Sequence, residues 1–139
     1  MTAEPNVLLV EDEENVAYVV ALALRHSGFG VQVVGTGTEA LALASSTPMP
    51  DIVVLDVTMP RMNGLEACRL IQRKRTTSNT EVLFVTQHDS PQMMREALDA
   101  GARGYVVKSN AARDLLEAVE AVSQHRVFTA LARSPQTSC

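Results

Sequence analysis

Four short apolar runs, at 7–10 (VLLV), 52–55 (IVVL), 82–85 (VLFV) and 105–107 (YVV), are written as continuous Val, Ile and Leu rather than as alternating apolar and polar positions. A strand buried on both faces reads this way, because a parallel sheet is covered by helices on either side. With a fifth strand at 30–34, the pattern predicts β1 near 6–10, α1 near 14–27, β2 near 30–34, α2 near 37–46 and β3 near 51–55. It continues with α3 near 64–75, β4 near 81–85, α4 near 91–100, β5 near 104–107 and α5 near 111–124. Gly28, Gly35, Gly37, Pro48, Pro50, Gly101 and Gly104 punctuate the joins. Five βα units follow, and right-handed crossovers leave few strand orders. The expected fold is α/β: a five-stranded parallel sheet of order 2-1-3-4-5, flavodoxin-like, with helices on both faces.

The strand ends carry the chemistry. Glu11 and Asp12 follow the first run, Asp56 the run at 52–55, Thr86 the run at 82–85 and Lys108 the last. In an open α/β sheet, ligands bind outside the carboxyl ends of the strands, so these residues are expected to share one crevice. Three carboxylates at contact distance cannot all stay ionised without a cation. All-oxygen ligands with room for water favour Mg²⁺, and one Mg²⁺ together with Lys108 balances the three negative charges. Screened in this way, Asp56 becomes a candidate nucleophile toward phosphorus, with Lys108 and Thr86 receiving the phosphoryl oxygens.

The ordered set Glu11-Asp12, Asp56, Thr86 and Lys108, with Met59-Pro60 and Asn63-Gly64 after the central Asp, resembles the receiver domain of bacterial two-component response regulators over about residues 5 to 128. The stretch GARGYVVKSNAARDLLEAVEAV is most similar to NarL-type receivers. The resemblance implies that Asp56 accepts a phosphoryl group from a sensor histidine kinase. It also implies that Glu11, Asp12, Asp56 and the backbone carbonyl of Thr58 hold Mg²⁺, and that Lys108 pairs with the phosphoryl group. Thr86 and Tyr105 match the family's switch pair, whose hydroxyl moves to the phosphate while the ring turns inward. The chain is then no enzyme beyond its own phosphotransfer and dephosphorylation. It is a phosphorylation-controlled switch that alters partner binding, including a homodimer through the α4-β5-α5 face. Gln87 after Thr86 and Ser109 after Lys108 depart from the family's commoner residues. They motivate an alternative, a receiver-like binding module that works without phosphorylation. Gln87 adds bulk beside Thr58 and His88, which are expected to flank the path to Asp56.

Two other motifs compete for the same residues. Gly35-Thr36-Gly37-Thr38-Glu39-Ala40 fits a dinucleotide-binding fingerprint. That reading leaves Glu11, Asp12, Thr86 and Lys108 without a role, and the glycines are explained as the turn from β2 into α2. A haloacid-dehalogenase-type phosphatase also uses Asp, Mg²⁺, Thr and Lys, but there the nucleophile comes first in the chain and a second Asp follows two residues on. Thr58 stands at that place here.

Composition narrows the rest. With 139 residues and 46% apolar content the chain is one domain of ordinary size, expected as residues 1–128 with 129–139 a short tail or the start of a linker. A net charge of −4 gives no basic face for nucleic acid. The cluster Arg69, Arg73, Lys74, Arg75 is expected to sit at the negative end of α3's dipole. Cys68 and Cys139 have no disulfide framework spacing, and no signal peptide or bilayer-length apolar segment is present. A cytoplasmic protein with no membrane partner is expected. His26 and His88 are expected at the surface, and Met93 and Met94 in packing.

Overall fold

The structure, a computed structural model, describes residues 5–44, 50–59, 62–74 and 80–129. Its elements follow in strict alternation: β1 (Asn6–Val10), α1 (Glu14–His26), β2 (Gly30–Val34), α2 (Gly37–Ala44), β3 (Ile52–Leu55), α3 (Gly64–Lys74), β4 (Glu81–Thr86), α4 (Pro91–Asp99), β5 (Gly104–Val107) and α5 (Ala111–Ser123). A further strand, β6 (Phe128–Thr129), pairs in parallel with β5, so the sheet has six strands in the order β2-β1-β3-β4-β5-β6 rather than five. The expected core order 2-1-3-4-5 stands within it. The reason β6 escapes a periodicity reading is its length, since two residues carry no pattern. It also crosses the expected domain boundary at 128. The ends of α2 and α3 proposed at 45–46 and 75, and the tail from 130, lie outside the described residues.

Two apolar layers hold the sheet. On one face Val10, Leu55, Phe84, Tyr105 and Val107 pack with Ala40 of α2, Ala67, Cys68 and Ile71 of α3, and Ala97 of α4. On the other face Val7, Leu9, Val54 and Val106 pack with Ala17, Ala21 and Leu24 of α1 and Leu115, Ala118, Val119 and Val122 of α5. Each central strand therefore needs apolar side chains on both faces between its ends, which is why the runs read as continuous. Met93 and Met94 pack against the first layer. Burial pushes the Cys68 thiol up to about 12, leaving it inert, although nearby Arg69 pulls the other way.

The helices that flank the strand ends start on local signals. Ser90 Oγ accepts from Met93 N at 3.0 Å, with Pro91 in the first turn of α4. At α2, Thr36 Oγ1 accepts from Glu39 N at 3.1 Å and Glu39 returns to the Gly35 N–H at 3.0 Å, a reciprocal cap that closes the glycine turn on itself. Arg69 and Arg73 are exposed on α3; the Lys74 side chain and Arg75 lie outside the described residues.

Gly64 sets the approach of α3 to the loop after β3. A Cβ there would stand 2.0 Å from the Asp56 carbonyl oxygen and 2.8 Å from Val57 Cα, both of them backbone. Its own N–H donates to the Val57 carbonyl at 2.7 Å, and the short antiparallel pair Thr58–Met59 with Met62–Asn63 closes the same loop. Gly64→Ala is expected to destabilise the fold by about 1–3 kcal/mol, the usual cost of overpacking, measured by urea unfolding. A variant as stable as the parent would show that this loop gives way freely.

Candidate functional site

β1, β3, β4 and β5 all end on the same edge, and their parallel register decides which side chains meet there. Leu9 pairs with Val54, Leu55 with Phe84 and Thr86 with Val107. Glu11 and Asp56 thus leave neighbouring strands, and Lys108 arrives from β5 across the end of β4. Lys108 Nζ lies 2.9 Å from Asp56 Oδ2 and 3.8 Å from Glu11 Oε1. The second Asp56 oxygen, Oδ1, accepts from Thr58 N at 3.0 Å, so both carboxylate oxygens are held. Glu11 Oε2 accepts from Glu13 N at 3.2 Å. A cavity of about 150 Å³, walled by Val10, Val16, Val20, Leu55, Val85 and Ala111, runs beneath Glu11, Asp56 and Lys108. Its apolar lining reduces screening around the three charges.

Electrostatics follow from that arrangement. Burial pushes the Glu11 carboxyl above 4.5 and the charges on Asp12 and Asp56 add to the rise, against the Glu13 N–H and Lys108. Burial alone would lower the Lys108 ammonium, but the hydrogen bond and charge of Asp56, then Glu11 and Asp12, outweigh it and raise it. One ammonium faces two partly buried carboxylates, and a third, on Asp12, stands exposed beside them. Among the described residues no three His, Cys, Asp or Glu side chains gather closely enough to enclose a metal ion. The structure brings Glu11, Asp56 and Lys108 together and leaves Asp12 at the rim.

Thr86 is fully buried at the end of β4. Its Oγ1 accepts a long bond from His88 N at 3.4 Å, and the Tyr105 hydroxyl donates to the His88 carbonyl oxygen at 2.7 Å. The Tyr105 ring occupies the inward position, with none of its surface exposed. The His88 ring reaches the other way, Nε2 lying 2.8 Å from Thr58 Oγ1. His88 is therefore half-buried and bonded through backbone and ring rather than lying at the surface, and it stands beside Thr58 as expected. Gln87 is exposed, and the contact to the loop after β3 is made by His88 instead. No periodicity marks His88; the signal available in the sequence was its place two residues past Thr86, opposite Thr58.

Residues 7–120 match the family model for the response regulator receiver domain, and the chain belongs to that family. It is 37% identical over 117 residues to the response regulator ArlR of Staphylococcus epidermidis, covering 84% of this chain and 52% of that protein. To the sensory transduction protein RegX3 of Mycolicibacterium smegmatis it is 40% identical, covering 84% and 50%. The chain spans about half the length of these curated relatives. Among solved structures, a LuxR-family two-component response regulator from Aurantimonas superposes with a TM-score of 0.84 at 32% identity over 94% of each chain. The signal receiver domain of the NarL response regulator of Mycobacterium tuberculosis superposes with a TM-score of 0.78 at 30% identity, covering 90% of this chain and all of that one.

The buried phenol gives a pH signature. Burial first, then the charges of Asp56 and Asp89, push Tyr105 from 10 up to about 12. In the unfolded chain the phenol ionises near 10, so the stability it contributes is complete below that pH and is lost as pH rises toward 12. Two units amount to about 2–3 kcal/mol. Tyr105→Phe is expected to cost about 1 kcal/mol at neutral pH through the lost hydrogen bond and to flatten the decline between pH 10 and 12, read by denaturant titrations at each pH. An equally steep decline in the variant would reject the assignment.

Proposed function

We propose that this receiver accepts a phosphoryl group on Asp56 from the phosphohistidine of a sensor kinase and passes the change to partners. The observation that carries the reading is the Asp56 carboxylate held by the Lys108 ammonium and the Thr58 N–H at the mouth of the strand-end crevice. In the transfer, an Asp56 carboxylate oxygen attacks phosphorus, the P–N bond to the donor histidine breaks and its electron pair returns to the imidazole. Lys108, already within reach, follows the negative charge from the carboxylate onto a phosphoryl oxygen. Thr86 offers its hydroxyl to another.

A divalent cation suits the donor set. Glu11, Asp12, Asp56 and the Thr58 carbonyl are all oxygen ligands, and Mg²⁺ is usually held by one or two carboxylates with water completing its shell, so a preformed cage is not required. Those four groups would hold it. Bound there, Mg²⁺ would supply charge neutralisation to the reacting oxygens. The carboxyl of Glu11 is raised chiefly by burial, with smaller contributions from Asp12 and Asp56, and a cation bound beside it would offset that cost.

The switch pair is Thr86 and Tyr105. Both bond to His88, one through its N–H and the other through its carbonyl, so a hydroxyl drawn toward phosphate pulls on the same residue that holds the ring. The readout is repacking of the face formed by α4, β5 and α5, where a second copy or partner docks. The chain acts in the cytoplasm on proteins rather than nucleic acid, in keeping with its net charge of −4, and has no enzymatic activity beyond its own phosphotransfer and hydrolysis. Among the described residues no helix is long and apolar enough to cross a membrane.

Incubation with Mg²⁺ and acetyl phosphate is expected to add one phosphoryl mass to the intact protein, lost in Asp56→Asn and greatly reduced by a chelator. Full labelling of Asp56→Asn would remove the assignment. The Thr58–His88 hydrogen bond closes the approach to Asp56, and opening one bond of about 1 kcal/mol corresponds to roughly a fivefold change in rate. His88→Ala should therefore raise both loading and loss severalfold, while Gln87→Ala, whose side chain is exposed, should move them less. Equal effects of the two substitutions would show that bulk, not the hydrogen bond, limits access.

A further inference from the structure

Residues 124–129, which follow α5, stay against the domain. Arg126 N donates to the Ala121 carbonyl at 2.9 Å and His125 N to the Val122 carbonyl at 2.9 Å, a helix-ending pattern whose turning residue is ordinarily glycine. Here the turning residue is His125, at φ 61°. A side chain in the left-handed region costs about 1–2 kcal/mol and persists when surrounding contacts hold it. The contact is on the page: His125 Nδ1 lies 2.5 Å from Glu81 Oε2. Glu81, at the start of β4, is almost fully buried, and Arg103, just before β5, reaches its carboxylate at 3.4 Å from both Nε and Nη2.

From that turn the chain runs along β5 as β6. Phe128 N donates to the Arg103 carbonyl at 3.1 Å, Gly104 pairs with Phe128 and Tyr105 with Thr129. The Phe128 ring packs against the layer under α1 and α5. The edge of β5 between α4 and α5 is thus occupied by the chain's own segment. An uncovered strand edge presents unpaired backbone groups to a second chain.

We propose that residues 124–129 form an intramolecular strap over the β5 edge, held closed by the His125–Glu81–Arg103 cluster, and that the strap limits access of a second copy of this chain to the α4-β5-α5 face. The meaning of this for signalling rests on the proposed role of that face in output; the strap itself does not. His125→Gly removes the ring while placing glycine where the backbone favours it, so loss of the contact is not confounded by added strain. Phe128→Pro removes the amide that bonds to Arg103, and the strand-like residue before a proline remains allowed.

The experiment uses the full chain without phosphodonor, following hydrogen exchange by mass spectrometry and self-association by sedimentation. In His125→Gly, exchange in the peptide covering 124–129 is expected to rise at least tenfold with the central strands unchanged, and the apparent association constant of both variants to rise at least tenfold. Unchanged exchange in His125→Gly would overturn the clasp. Raised exchange without raised association, or parental association in a folded Phe128→Pro, would overturn the cover. Phosphoryl labelling of the same samples, read by intact mass, reports separately on Asp56, so a failure of that reading is distinguishable from a failure of the strap.

Discussion

The ion pair between Lys108 and Asp56 ties β5 to β3 across the end of β4, and the rest of the site depends on it. Its 2.9 Å separation exists only because β4 sits between its neighbours in one register, with Leu55 beside Phe84 and Phe84 beside Tyr105. A slip of one residue would turn every β4 side chain to the other face, carrying Thr86 away from His88. Register in turn is fixed by burial, because both faces of these strands are covered and the buried polar residues of β4, Glu81 and Thr86, stand at its two ends. The apolar layers under α1 and α5 and under α2, α3 and α4 are thus the reason that charges distant in sequence meet.

That dependence explains what could be read in advance. Continuous apolar runs announce central parallel strands, and the polar residue that ends each run falls at the ligand-binding edge whatever its identity; Glu11, Asp56, Thr86 and Lys108 were legible on those grounds. Asp12 was legible by type but not by position, since an adjacent residue in a loop points where the turn sends it. His88 was legible by its place, two residues past Thr86 and opposite Thr58, but not by its bonds: a backbone N–H, a backbone carbonyl and a ring nitrogen reach three different residues, and none of these alters hydropathy. β6 was missed because Phe128–Thr129 is too short for a period and its turn is made by His125 rather than by the glycine that would have marked it.

His88 also changes the physical picture of the switch. A threonine and a tyrosine on neighbouring strands need no direct contact to move together if one residue satisfies both. His88 does so through its backbone while its ring bonds Thr58, the residue whose N–H holds Asp56. On the proposed reading, a shift at the loop after β3 would reach Tyr105 through two hydrogen bonds and one residue, without requiring the sheet to deform. Close packing favours that route, since strands buried on both faces resist displacement more than loop side chains do.

The two ends of β4 and β5 are secured by similar means. At the carboxyl edge Lys108 bonds Asp56; at the amino edge Arg103 and His125 bond Glu81. Between them lies Tyr105, whose hydroxyl bonds the His88 carbonyl and whose backbone pairs with Thr129 of β6. One residue therefore joins the proposed phosphoacceptor network to the proposed strap. Any displacement of the Tyr105 backbone must either carry β6 with it or strain the pairing beside it, and β6 is the weaker element: two residues long, at the sheet edge, reached through a left-handed turn. The proposed strap is therefore expected to yield before the strands beside it, because central strands paired on both sides lose two ladders where an edge strand loses one.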